Sequence, residues 1–157
     1  MKYTLSVLVE NHFGVLARIA GLFSARGFNI SSLSVAETED PSISIMTIVV
    51  DEDEKVADQV KKQLNKLIEV IKVRDLTNQE HISRELALIK INLSGNKRTE
   101  IIELADIFKG RVVDISHENI TIEITGSSQK IDAIINLLKK YGIVELARTG
   151  KVALLRG

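Results

Sequence analysis

The sequence predicts an α+β protein built as two tandem βαββαβ units. Three observations carry that expectation. The apolar residues switch between the two-residue period of a strand and the 3.6-residue period of a helix, in the order β-α-β-β-α-β over about 75 residues. The same order then recurs in the second half of the chain. The composition is 45% hydrophobic with only 4% aromatic residues and a single proline, so a packed core must come from Ile, Val, Leu and Ala.

The first strand is written in "MKYTLSVLVE", where Tyr3, Leu5, Val7 and Val9 alternate with Thr4 and Ser6. From Val15 the period changes: Val15, Leu16, Ile19, Ala20, Leu22 and Phe23 make one stripe at helical spacing, and Gly27 stands where a C-terminal cap belongs. "NISSLSVAETED" reads as a strand through Ile30, Leu33 and Val35. Asp40-Pro41-Ser42 is turn chemistry, the proline presetting its φ angle. "SISIMTIVV" completes a hairpin and is apolar on both sides, at Ile45, Met46, Ile48 and Val49, which predicts cover on both faces. "DEDEKVADQVKKQLNKL" is a helix with acids in its first turn and Val56, Val60, Leu64 and Leu67 inward, its charges forming a solvated face. "EVIKVRDL" closes the unit as a strand.

A polar stretch at residues 77–83, "TNQEHIS", lacks an apolar stripe and is expected to link 1–76 to 84–157. In the second unit "ELALIKINL" is a strand and "TEIIELADIFK" a helix buried through Ile101, Leu104, Ala105 and Phe108. "RVVDI" and "ITIEITG" are strands, the latter with Ile120, Ile122 and Ile124 on one face. "SQKIDAIINLLKKYG" is a helix facing inward through Ile131, Ile134, Ile135 and Leu138, started by Ser127 or Ser128 and ended by Gly142. "IVELAR" is the closing strand. Each half thus has the split βαβ, or ferredoxin-like, order.

Charge and composition exclude several classes. Lys plus Arg and Asp plus Glu are 21 each, so no net field draws the chain to nucleic acid or anionic membrane. The absence of cysteine removes disulfides, thiolate metal sites and cysteine nucleophiles. No apolar run approaches the roughly 20 residues of a membrane span, and the alternating N-terminus is unlike a signal peptide. A soluble, cytoplasmic protein is the expectation. His12, His81 and His117 share no ligand spacing, and neither G-x-G-x-x-G nor a P-loop occurs, so an independent enzyme has no visible machinery. An RNA-reading βαββαβ module would need aromatics on its central strands, and "TLSVLVE" and "SISIMTIVV" have none.

What remains is the stretch "ENHFGVLARIAGLFSARGFNI". At its strand-to-helix turn the free N–H groups of a helix start favour a carboxylate or phosphate. Gly14 lacks a Cβ and lets a ligand approach the backbone. Asn11 and Asn29 each carry a donor and an acceptor, which suits a zwitterion. Asn and Gly also serve at helix ends for purely local backbone reasons, so spacing alone permits an amino-acid site without demanding one.

The stretch "ENHFGVLARIAGLFSARGFNISSLSV" resembles the signature of the ACT domain, an amino-acid-binding βαββαβ module, with Asn11 at the polar position and Phe13 in place of a frequent proline. "VENHFGVLARIAGLFSARGFNI" together with "GIVELARTGKVAL" resembles the small, regulatory subunit of acetohydroxyacid (acetolactate) synthase over nearly the whole chain, Lys140-Tyr141 standing where Pro-Phe is frequent. That resemblance implies a non-catalytic partner of a thiamine-diphosphate enzyme of valine, leucine and isoleucine biosynthesis. It implies no cofactor in this chain, with thiamine diphosphate, Mg and FAD in the catalytic large subunit. It implies a homodimer through the ACT domain, with valine held at the interface by Asn11, Gly14, Val15 and Leu16 of one protomer and by Asn29 and Ile30 of the other. Valine would give feedback inhibition, while the second domain, with the tail from Gly142 to Arg156, would activate the catalytic subunit. The corresponding stretch of the repeat, "SGNKRTEI" followed by "GRVVDI", lacks the Gly-Val-Leu and Gly-Phe-Asn-Ile pair, so the second domain is expected to keep the fold without the amino-acid site. The alternative is an ACT-type amino-acid-sensing module of a different biosynthetic enzyme.

Overall fold

The computed structural model describes residues 1–157 and divides into two compact units, Met1–Ile82 with Gly150–Gly157, and Ser83–Thr149. The first unit contains β1 (Lys2–Glu10), α1 (Val15–Arg26), β2 (Ile30–Glu37), β3 (Ile43–Asp51), α2 (Glu54–Asn65) and β4 (Val70–Asp75). Its antiparallel sheet runs in the order β2-β3-β1-β4, which leaves β2 at an edge. Tyr3, Leu5, Val7 and Val9 of β1 are all buried, as the alternation predicts, and the last three meet Met46, Ile48 and Val50 of β3 and Val15, Ile19 and Phe23 of α1. Gly27 adopts the left-handed cap conformation, and the Phe28 N–H donates to the Phe23 carbonyl, satisfying an orphan acceptor of the last turn. Asp53 caps α2 by accepting from the Val56 N–H at 2.8 Å. The hairpin turn closes as expected, Asp40 accepting from the Ser42 N–H and hydroxyl. Those two hydrogen bonds, the hydroxyl's foremost, hold the Asp40 carboxyl below its ordinary pKa.

The second unit contains most of β5 (His81–Asn92), then α3 (Arg98–Ile107), β6 (Arg111–Ile115), β7 (Asn119–Gly126), α4 (Ser128–Leu138), a 3-10 turn at Lys139–Tyr141 and β8 (Ile143–Arg148). Its strands lie in the order β6-β7-β5-β8. Ala87, Ile89 and Ile91 of β5 and Ile120, Ile122 and Ile124 of β7 pack on Ile101, Ala105, Ile131, Ile134 and Leu138 of the two helices. Ser127 is the residue that caps α4.

Two expectations are corrected. The polar stretch 77–83 is not a linker throughout: β5 already starts at His81 and crosses the boundary as one strand. The last eight residues pack with the first compact unit rather than with Ser83–Thr149. A ninth strand, β9 (Val152–Leu155), returns to the first unit and pairs with β5, where the Arg156 N–H donates to the Glu80 carbonyl at 3.0 Å. The Ala153 N–H lies 3.4 Å from the Thr47 hydroxyl, and Ala153 is buried. This supplies the second face of cover that the two-sided apolarity of β3 called for, since Thr47 and Val49 are buried on the side away from Met46 and Ile48. In α1, Leu16 and Ala20 face outward rather than into the core, because the buried positions Val15, Ile19 and Phe23 already use the face on the sheet.

Candidate functional site

The turn after β1 is pinned before α1 begins. The Asn11 N–H donates to the Ser42 carbonyl at 2.7 Å, and its side-chain amide donates to the Pro41 carbonyl at 2.8 Å. Asn11 is therefore held on the β2–β3 hairpin at the end of the sheet where β1 finishes. Next to it the His12 ring lies 3.0 Å from a Glu10 carboxylate oxygen. Phe13 is fully exposed.

Gly14 has φ 87° and ψ −8°, a left-handed conformation that costs glycine little, and it is the N-cap of α1 with no side chain to cap the first turn. A Cβ placed there would meet nothing within 4 Å, so the approach to the helix start is open. The Arg18 N–H closes the first helical bond on the Gly14 carbonyl at 3.0 Å, which leaves the N–H groups of Leu16 and Ala17 without an intrahelical acceptor. Val15 anchors that turn in the core, while Leu16 is about half exposed beside it. Farther along α1, Arg18 pairs with the buried carboxylate of Glu69, fixing the helix to the turn that leads into β4.

Asn29 stands at the other end of the sheet. Its N–H donates to a Glu52 carboxylate oxygen at 3.0 Å, and its carbonyl accepts from the Asp51 N–H at 3.1 Å. Ile30 begins β2 opposite Val50. Asn11 and Asn29 thus bond next to the two ends of β3, a nine-residue strand. At about 3.4 Å per residue they are roughly 30 Å apart, far more than one amino acid spans. One chain brings Asn11, Gly14, Val15 and Leu16 together and leaves Asn29 and Ile30 distant from them.

Three features gave no signal in the linear pattern. In the second unit the Arg148 guanidinium donates from Nε to the buried Glu85 at 3.1 Å and from Nη1 to Asp132 at 2.7 Å, while the Ser128 hydroxyl donates to Glu85 as well. Burial works against charge on Arg148, but the two carboxylates outweigh it and hold its pKa above the ordinary value. A cleft of about 450 Å³ opens at the start of α3, between Gly95, Asn96, Arg98, Thr99 and His117. In the first unit a smaller hollow of about 100 Å³ lies on the sheet at Ser6, Leu8, Ile45, Lys72 and Arg74. The residues of the ionic cluster and of the sheet hollow lie far apart in the chain, and only strand register collects them.

Comparison with known proteins covers both units. Residues 5–72 match a family described as the AHAS small subunit-like ACT domain, and residues 84–157 match the small subunit of acetolactate synthase. The chain is 57% identical over 157 residues to an Archaeoglobus fulgidus protein named "Probable acetolactate synthase small subunit", covering 100% of this chain and 98% of that one. It is 52% identical over 156 residues to the acetolactate synthase small subunit of Aquifex aeolicus, covering 99% and 81%. The crystal structure of an acetolactate synthase small subunit from Thermotoga maritima superimposes with a TM-score of 0.91 at 43% identity, covering 100% of this chain and 98% of that one.

Proposed function

The chain belongs to the family of acetolactate synthase small subunits, regulatory subunits with an N-terminal ACT domain, and from that premise we propose that it senses valine between two copies of its first unit. In this reading it is a non-catalytic partner of a large subunit in the cytoplasm. Thiamine diphosphate, Mg and FAD are held by that large subunit, which this chain activates when valine is absent and inhibits when valine is bound.

The observation that carries the reading is the direction of the edge strand. β2 and β1 both run antiparallel to β3, so the end of β2 at Glu37 lies at the same end of the sheet as Asn11 and Gly14. Antiparallel pairing of β2 with a second β2, related by a two-fold axis, sets the start of one strand beside the end of the other. The partner's Asn29 and the partner's Ile30 then arrive at the Asn11–Gly14 end, across the roughly 30 Å that separate those residues within a chain. The edge also presents unpaired main-chain groups, and Leu33 and Val35 on it are exposed, as is Leu16 on α1.

The chemistry of such a pocket follows from its walls. The N–H groups at the start of α1 and the positive end of its dipole receive the carboxylate. The amides of Asn11 and of the partner's Asn29 offer acceptors to the ammonium. Leu16 and the partner's Ile30 bound the apolar side chain, where each methylene is worth about 1–3 kcal/mol, so leucine and isoleucine bind more weakly than valine. A ligand shared by two chains favours one relative orientation of them, and only that differential affinity acts on the large subunit.

The test is reconstitution with the cognate large subunit, using Asn11→Ala and Asn29→Ala singly and mixed. Each variant alone should lose valine inhibition. Mixed and re-equilibrated, the two form heterodimers with one intact site, and part of the inhibition should return. No return on mixing would show that the two asparagines do not share a site between chains. Undiminished inhibition of either variant alone would remove that residue from the site.

A further inference from the structure

The last residues of the chain join two anchored regions through a single peptide bond. On one side, Arg148 is held by Glu85, Asp132 and the Ser128 carbonyl, and Thr149 exchanges two hydrogen bonds with Leu86: its N–H donates to the Leu86 carbonyl, and its hydroxyl accepts from the Leu86 N–H, both at 2.9 Å. All of these residues belong to the second unit. On the other side, Gly150 lies against the main chain of Leu33 in β2. A Cβ on Gly150 would come within 2.8 Å of the Leu33 carbonyl oxygen, 2.9 Å of its carbonyl carbon and 3.0 Å of its nitrogen. Three residues later Ala153 is buried and its N–H faces the Thr47 hydroxyl of β3.

The obstacle to a side chain at Gly150 is backbone, and that backbone is fixed. Leu33 pairs with Ile48 of the central β3, so it yields only if the β2–β3 ladder yields. Gly150 does not occupy the left-handed region; glycine stands there for close approach alone. β2 is also the strand that begins at Asn29 and Ile30. A shift of β2 is therefore felt at Gly150, and Gly150 is bonded directly to a residue that the second unit holds by main chain and side chain.

We infer that Gly150 is the coupling point between β2 and the second unit, transmitting the state of the effector strand through Thr149 and Arg148 to Leu86 and Glu85. This rests on the proposal that valine is sensed at β2, and it adds the route by which the signal leaves that strand. The residue is a positioning residue that touches no ligand.

The experiment uses the full chain with its large subunit and compares the wild type, Gly150→Ala, Gly150→Val and Thr149→Val. Thr149→Val removes the acceptor for the Leu86 N–H without touching β2 and keeps the test open if a Gly150 variant fails to fold. For every variant that folds, the valine-induced rise in melting temperature should persist while the valine concentration for half-inhibition increases by about tenfold or more. Amide hydrogen exchange at Leu86 and Thr149 should respond to valine in the wild type and not in the variants. Wild-type protein that neither binds valine nor is inhibited by it overturns the valine reading and this inference with it. Inhibition of Gly150→Val and Thr149→Val at the wild-type concentration, with valine binding intact throughout, overturns the coupling role alone. Loss of valine binding in Thr149→Val also overturns it, since that residue would then support the site rather than transmit from it.

Discussion

Replacing Gly14 by aspartate separates binding from folding more cleanly than any other change at the site. Two small terms oppose each other in the fold. A side chain at φ 87° costs about 1–2 kcal/mol for an ordinary L-residue and less for aspartate. A carboxylate at the start of α1 regains about 0.3–1 kcal/mol from the helix dipole. Nothing lies within 4 Å of the new Cβ, so no clash is added. The net change in stability for Gly14→Asp is then within about 1 kcal/mol of zero, a shift of at most ~8 °C in melting temperature for a unit of this size. Gly14→Ala carries the strain without the charge and should be the less stable of the two. Binding responds quite differently. Two carboxylates about 4 Å apart at a surface repel by about 4 kcal/mol, which weakens valine roughly a thousandfold. In the wild type, valine at a hundred times its dissociation constant should stabilise the protein by about 2.7 kcal/mol. Thermal unfolding with and without valine should therefore show a clear shift for the wild type, most of that shift for Gly14→Ala, and none for Gly14→Asp. A full shift in Gly14→Asp would refute the placement of the ligand carboxylate. Equal loss in the alanine variant would show that shape rather than charge decides the site.

Arg148→Leu strands the buried Glu85 carboxylate and should cost about 3 kcal/mol in urea unfolding of the second unit, with Glu85→Gln in the same chain recovering much of it. Burial raises the pKa of Asp75, but hydrogen bonds from Thr77 and the Lys61 ammonium, 3.0 Å away, bring the net below the ordinary carboxylate value. A depressed native pKa means that this contribution is present above the unfolded carboxylate pKa and is lost as pH falls through the folded value. Asp75→Asn should accordingly flatten the acid limb of a stability–pH curve. The hydrogen bond to Asp75 raises the Lys61 pKa, so its own contribution holds below the unfolded lysine value and is lost only as pH rises through the folded one. Removing residues 150–157 uncovers Thr47 and Val49 and should speed amide exchange in β1 and β3 of the first unit; a chain ending at residue 79 should show the same loosening, whereas unchanged exchange would mean that β9 adds nothing to that sheet.

Local periodicity was enough to place most of this fold. The alternation of Tyr3 through Val9 and of Ile120 through Ile124, the helical stripes ending at Gly27 and Leu138, and the cap at Ser127 all depend on neighbours within a few residues. The repeat of the six-element order and the family resemblance followed from the same local patterns. Both asparagines and the glycine between them were visible as candidates for that reason, and so was the two-sided apolarity of β3.

Other features depended on which surfaces meet across long separations in the chain. "VALL" is an apolar strand wherever it packs, and nothing in its period says that β9 goes back to Thr47 rather than staying beside β8. Leu16 and Ala20 share a helical stripe with Ile19 and Phe23, but the sheet accepts only one face of α1, so the pair turns outward. Glu85, Ser128, Asp132 and Arg148 become one ionic cluster only after strand register has brought β5 and β8 together at the start of α4. The separation of Asn11 from Asn29 belongs to the same class. By itself the sequence determined that two zwitterion-compatible residues flank one helix, because side-chain chemistry and helical period are local. Only the tertiary structure decided that they lie at opposite ends of a sheet, because strand direction is set by pairing between distant segments.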